Sequence, residues 1–231
     1  MIDKSCSSAD AAVADIQDNA TVMIGGFGPA GQPCSLLDAL VRRRPRGLTL
    51  ISNNAGNGDH GLAALLNAGC VRKMVCSFPR QPDSWVFDRL YRRGDIDLEL
   101  VPQGNLVARI QAGGAGLGGI FTPTGVGTAL ATGKEVRDIA GRQYVFELPL
   151  RADYALIRAE CADRWGNLTF NKAARNFNPI MAMAADCTIA ETHHQVPLGS
   201  LDPEAVVTPG IFVQRVVVAS RSLPAATEGH P

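Results

Sequence analysis

The chain has 231 residues, 46% of them hydrophobic and 19% charged, and its acidic and basic side chains balance to a formal net charge of zero. That composition belongs to a globular chain long enough to bury a substantial core, and it excludes an intrinsically disordered one. The balanced charge argues against nucleic acid or an anionic membrane as the main partner, and does nothing to keep copies of the chain apart.

No apolar run approaches transmembrane length, so no membrane partner is expected. The six cysteines (Cys6, Cys34, Cys70, Cys76, Cys161, Cys187) form no Cys-x-x-Cys pair, and His193 and His194 are adjacent rather than at a metal-binding helical spacing. Reduced thiols are the expectation, with no disulfide framework and no metal. The first ten residues, MIDKSCSSAD, lack the apolar centre of a signal peptide, which makes a cytoplasmic location the expectation.

In chain order, Ser7 or Ser8 caps a first helix. The β-branched run Thr21-Val22-Met23-Ile24 then reads as a strand. It runs into Gly25, Gly26, Gly28 and Gly31, followed by Pro33 at the start of a helix reaching Arg43. A strand, a glycine loop and a helix N-terminus in succession aim free N–H groups at one point and suit an anionic or carbonyl-bearing ligand. Arg42, Arg43, Arg44 and Arg46 read as a solvated helix end that complements the dipole, rather than a phosphate site.

Strands are next expected at 48–52, 74–76 and 98–101, alternating with helices at 61–68, 83–93 and 105–112. A long glycine-bearing loop follows over 113–128. Strands at 144–147, 154–158, 168–170, 187–190 and 212–219 and a buried helix at 179–185 complete the pattern, with Met181–Met183 as core filling. His193 and His194 are expected on a surface loop before Pro197, and the residues after Arg221 as a disordered tail. One domain is expected over residues 1–220. The fold class is α/β, an open and mostly parallel sheet with helices on both faces. Three of the first four strands end in GGFG, SNNAG or PQG, and those ends should converge on one crevice.

The stretch Gly26-Phe27-Gly28-Pro29-Ala30-Gly31 matches G-x-G-x-x-G, so a dinucleotide site has to be weighed. Pro33 keeps the third glycine out of the helix, and Ser52-Asn53-Asn54 stands where an acidic ribose ligand belongs. Both features count against NAD or FAD, and the absence of G-x-x-x-x-G-K-[ST] counts against P-loop chemistry.

DNATVMIGGFGPAGQP, SNNAG, VPQGNL, QAGGAGLGG, TPTGVGT, WGNLTF, KAARNFNPIMAMAA and VTPGIFVQ together resemble the A (alpha) subunits of family I coenzyme A-transferases acting on 3-oxo acids. The resemblance covers about residues 5–219, with its blocks in the family's order. SNNAGNGD and VCSFPRQPDSWVFDRLY resemble the 3-oxoadipate enzymes more than the succinyl–acetoacetate ones.

The resemblance implies a NagB/RpiA-like α/β fold paired with a homologous B (beta) subunit in a heterodimer or heterotetramer. It implies a ping-pong transfer of CoA from succinyl-CoA to a 3-oxo acid, through a glutamate in a Ser-Glu-Asn-Gly motif. This chain lacks that motif, so the nucleophile is expected on the partner. CoA enters as a substrate, with no tightly bound cofactor. By the same resemblance Asn53 and Gln103 line the site and stabilise oxyanions. Gly25, Gly26, Phe27, Gly28, Pro29, Ala30 and Gly31 approach CoA. Gly113, Gly114, Ala115, Gly116, Thr124 and Gly125 belong to a loop that closes over the acyl group on glycine hinges. A dicarboxylic acceptor calls for a forked guanidinium at its far end, and Arg80 is the candidate. The rival readings are a binding or regulatory domain on the same sheet, a sugar-phosphate isomerase on a related fold, and succinyl–acetoacetate specificity.

Overall fold

The computed structural model describes residues 2–219; the expected tail lies outside them. The chain opens with α1 (Ala9–Val13), β1 (Thr21–Ile24), α2 (Cys34–Arg43), β2 (Leu48–Ile51), α3 (Leu62–Asn67) and β3 (Val71–Cys76). It continues with α4 (Trp85–Arg93), β4 (Asp97–Leu100), α5 (Gln103–Gly114), β5 (Ile120–Thr122), β6 (Val136–Ile139) and β7 (Arg142–Glu147). It ends with β8 (Ala152–Ala162), β9 (Leu168–Thr169), α6 (Asn178–Met183), β10 (Ala185–Gln195) and β11 (Arg215–Val218).

Local chemistry accounts for the helix ends. Ser8 caps α1, its Oγ accepting from Ala11 N at 3.1 Å. Gly94 closes α4 in the left-handed region at φ 73°. Arg42 and Arg43 at the end of α2 hold α1 rather than a ligand. Arg42 grips Asp10 at 2.8 and 2.9 Å, and Arg43 Nε donates to Ala14 O at 2.9 Å.

The main sheet runs β11-β10-β8-β1-β2-β3-β4, all parallel, with β9 added antiparallel to β8. Helices cover both faces. Val22, Ile24, Leu50, Met74, Leu156 and Ile189 pack beneath α1 to α4, while Met23, Ile51, Val75, Ile157 and Ala190 pack against α5 and α6. Alternate residues of one strand thus serve two cores, the pattern of a parallel sheet buried on both sides. The order runs outward from β1 to β4 on one side and from β8 to β11 on the other. The reversal lies between β1 and β8, where such sheets leave a crevice off their carboxyl ends.

Four expectations need correction. Gly113 and Gly114 are not loop hinges but the last residues of α5. A Cβ on Gly113 would stand 2.0 Å from Leu150 O, and one on Gly114 2.8 Å from Met183 Cβ, so both glycines serve close packing. The stretch after them is not wholly a loop, since β5, β7 and β6 form a separate antiparallel sheet. His193 and His194 lie within β10, whose pairing with β8 continues to Gln195↔Ala162. Met181 is fully buried as core filling, whereas Met183 is 39% exposed.

Candidate functional site

A chain of side-chain hydrogen bonds crosses the carboxyl ends of four adjacent strands. Ser52 Oγ, after β2, donates to Ile24 O of β1 at 2.9 Å. Asn53 Oδ1 accepts from Ser77 Oγ, after β3, at 2.9 Å and from Gln103 Nε2, after β4, at 2.7 Å. The two amides expected at the site are therefore in contact, although fifty positions separate them in the chain. Asn53 is 2% exposed and Gln103 exposed, so one member is fixed in the protein and the other faces solvent. With both lone pairs of Asn53 Oδ1 engaged, its Nδ2 and the second N–H of Gln103 Nε2 are donors with no hydrogen bond among the described residues.

The glycine loop stands on the neighbouring β1, and most of its donors are already used. Gly25 N donates to Leu156 O at 3.0 Å and Gly26 N to Asn176 Oδ1 at 3.1 Å. Phe27 and Ala30 exchange both of their backbone bonds, at 2.9 and 3.2 Å. Among the described residues, the N–H groups of Gly28 and Gly31 take no such bond. The helix N-terminus beyond the loop is also filled. Ser35 N and Leu36 N donate to Glu191 Oε2 at 2.8 and 3.1 Å. The free donors expected at this junction are thus spent on the protein's own carboxylate and amides. Glu191 is 1% exposed, and burial pushes its carboxyl above the ordinary range, with Leu36 N, Arg158 and Ser35 N pulling the other way.

Two glycines of the loop are required by close approach. A Cβ on Gly25 would lie 1.8 Å from Asn178 Oδ1, and one on Gly31 2.3 Å from Ala174 O. Asn176 and Asn178, which hold the loop, are functional neighbours that the sequence does not single out. They sit within KAARNFNPIMAMAA, some 150 positions away from the glycines they contact. The local signal is the pair of asparagines flanking Phe177 just before a helix, which reads equally well as ordinary capping.

A cleft of about 160 Å³ opens beside the loop, lined by Gly28, Pro29, Gln32, Asn54, Asn57 and Gln81 among others. Four amide side chains and His60 supply the polar part of this lining, and the buried Gln81 Oε1 accepts no hydrogen bond among the described residues.

Arg80 lies on the surface, where its Nε donates to Asp88 Oδ1 of α4 at 2.6 Å. The Thr124 stretch is brought to the first turn of α5, next to Gln103. Asn105 Nδ2 donates to Thr124 O at 3.2 Å, and Asn105 Oδ1 accepts from Thr122 Oγ1 at 3.1 Å. Gly125 lies at φ 96°. Ala115 caps α5, and a Cβ on Gly116 would meet nothing within 4 Å.

Two further glutamates are bound to other groups. Glu147 is held by Lys134 at 2.7 Å and Asn105 at 3.3 Å, and Glu99 by Lys73 at 2.6 Å and Arg109 at 3.0 Å. All six cysteines are free thiols, and burial pushes that of Cys76 up to about 12.

Relatives include the A subunit of the 3-oxoadipate CoA-transferase of Pseudomonas putida, 63% identical over 95% of each chain. The corresponding chain of Acinetobacter baylyi is 61% identical over 94% of this chain and 95% of its own. The A subunit of a probable succinyl-CoA:3-ketoacid coenzyme A transferase of Bacillus subtilis is 45% identical over 94% of this chain and 90% of its own. Among solved structures, an acyl-CoA transferase of Escherichia coli O157:H7 superposes with a TM-score of 0.83 at 24% identity. That match covers 94% of this chain and 47% of the other, so this chain spans about half of that protein. Glutaconate coenzyme A-transferase of Acidaminococcus fermentans shares the fold at TM-score 0.82 and 18% identity, over 94% of this chain and 75% of its own. The coenzyme A transferase family model matches residues 6–219, nearly the full length, and the chain belongs to that family.

Proposed function

We propose that this chain is the A subunit of a heteromeric transferase that moves CoA from succinyl-CoA to 3-oxoadipate. The observation that carries the acceptor is a gap in identity over nearly equal lengths, 63% to a chain of a 3-oxoadipate enzyme against 45% to one of a 3-ketoacid enzyme. The partner is a homologous B subunit, which carries the nucleophilic glutamate in a Ser-Glu-Asn-Gly turn.

In the first half-reaction the partner's carboxylate attacks the thioester carbonyl and expels CoA thiolate, leaving an acyl-glutamyl anhydride. The thiolate then attacks the glutamyl carbonyl, giving glutamyl-CoA and free succinate. The acceptor's carboxylate attacks that thioester and reverses the sequence, ending as the acceptor's CoA thioester. Each addition places a negative charge on a former carbonyl oxygen.

Asn53 and Gln103 are the groups this chain offers to that charge. They are neutral, so they donate without competing as nucleophiles, and Ser77 and the Asn53–Gln103 bond hold them in register. CoA arrives as a substrate, against the Phe27–Pro29 side of the site, and Thr124 and Gly125 flank the acyl group beside α5. The distal carboxylate of the acceptor is met by the amide-bearing cleft, whose lining does not include Arg80.

The test is reconstitution. The chain co-expressed with its B partner should consume succinyl-CoA with 3-oxoadipate and be slow with acetoacetate. Appreciable turnover by the purified chain alone refutes the shared site, and a preference for acetoacetate refutes the acceptor.

A further inference from the structure

Asn176 bonds both ends of the glycine loop at once. Its Oδ1 accepts from Gly26 N at 3.1 Å, where the chain leaves β1, and its Nδ2 donates to Ala30 O at 2.9 Å, where the chain turns back. The side chain is itself pinned, since Oδ1 also accepts from Phe177 N at 2.7 Å and Nδ2 donates to Ala173 O at 2.9 Å. Two N–H groups on one side and two carbonyls on the other fix which end of the amide is which. Behind it the buried Asn178 donates to Gly31 O at 3.2 Å and accepts from Arg158 N of β8 at 3.0 Å.

The loop held this way ties the N–H groups of Gly25, Gly26, Phe27 and Ala30 within the protein and leaves a firm tip. The paired Phe27–Ala30 turn raises Phe27, 53% exposed, and Pro29 to the surface beside the amide-lined cleft. Four glycines over seven residues, left free, would lose much conformational freedom when a ligand settled on them. Bonds already made within the protein remove that cost before the ligand arrives.

We propose that Asn176 is the positioning residue of the glycine loop, holding the Phe27–Pro29 tip in the one conformation against which the CoA thioester seats. This rests on the transferase reading above. The amides offered to the oxyanion stand after β2 and at the start of α5, outside the clamp, so the clamp acts on capture of the thioester and not on the chemistry that follows. Once CoA is covalently held on the partner's glutamate, capture is complete and the acceptor's step no longer depends on it.

The experiment uses the reconstituted heteromer with succinyl-CoA and 3-oxoadipate, and reads kcat/KM for each substrate separately. Asn176→Ala removes both loop bonds and should lower kcat/KM for succinyl-CoA about tenfold. The kcat/KM for 3-oxoadipate and the assembly of the heteromer should be unchanged. Asn176→Asp keeps the shape and the acceptor for Gly26 N but cannot donate to Ala30 O, and should give the same split, smaller in size. An unchanged kcat/KM for succinyl-CoA overturns the proposal, and so does a parallel fall for both substrates, which marks general loosening. If the alanine variant fails to assemble, the aspartate variant decides by the same two readings. A wild-type heteromer that transfers no CoA refutes the transferase reading instead, which separates the two failures.

Discussion

Glu191 offers the sharpest test of how the glycine-loop junction is held. Its Oε2 is the acceptor for both Ser35 N and Leu36 N, the first donors of α2, in a place where the side chain is 1% exposed. Truncation in Glu191→Ala orphans both N–H groups at about 1–1.5 kcal/mol each and removes the negative charge from a helix N-terminus, a total of about 3 kcal/mol. For a chain of this length that is a fall in Tm of about 6–12 °C. Glu191→Gln keeps an oxygen able to accept from both amides and no longer buries a charge, so it should cost within about 1 kcal/mol. The pH dependence separates the two further. An acid whose pKa is raised by the fold takes up a proton on folding. Its contribution is therefore greatest at low pH and declines as pH rises from the ordinary value of 4.5 through the folded one. The stability of wild type relative to Glu191→Gln should accordingly improve on acidification toward pH 4.5. Urea denaturation of the three forms at several pH values measures all of this. Equal losses for alanine and glutamine would refute the reasoning, because the charge and not the acceptor would then be what holds α2.

Gln103→Ala should lower kcat about a hundredfold with the heteromer intact, since an exposed side chain at a helix start supports no core; steady-state kinetics and gel filtration check it. Gly25→Ala drives a Cβ to 1.8 Å from an asparagine oxygen that is itself bonded to Arg158 N, and should cost about 3 kcal/mol or more in thermal unfolding. Gly28→Ala, with nothing within 4 Å, should cost only the left-handed backbone, about 1 kcal/mol, in the same assay. Burial pushes the Glu99 carboxyl up, but Lys73 and Arg109 outweigh it and hold it below the ordinary 4.5. That depressed acid contributes stability above pH 4.5 that is lost as pH falls through its folded value, so Lys73→Met should flatten the acid limb of a stability–pH curve. Arg80→Ala should leave the preference for 3-oxoadipate over acetoacetate unchanged in competition assays, because Arg80 does not line the cleft proposed to meet the distal carboxylate.

The small antiparallel sheet was the least legible part of the fold. All four residues of β6 are exposed, so Val136–Ile139 carries no apolar face to announce a strand, and the glycines before it read as a loop. The parallel sheet was legible for the opposite reason. Its central strands are buried on both sides, and their short apolar runs stop at glycine or amide-rich turns. The same local reading put Asn53 and Gln103 after two strands, but their role came from the family resemblance, and neither told that Gln103 donates to Asn53 at 2.7 Å.

The sequence by itself determined the α/β class, the strand–glycine loop–helix unit around Gly25–Gly31 and the placing of polar residues at the strand ends. Periodicity and turn chemistry are properties of neighbouring residues, so they survive without the fold. Only the tertiary structure decided which donors of that unit are still free. Glu191 fills the start of α2 from 155 positions beyond Leu36, and Asn176 takes the Gly26 N–H from 150 positions away. Whether a backbone N–H is available to a ligand depends on what packs against it, and no local pattern records that.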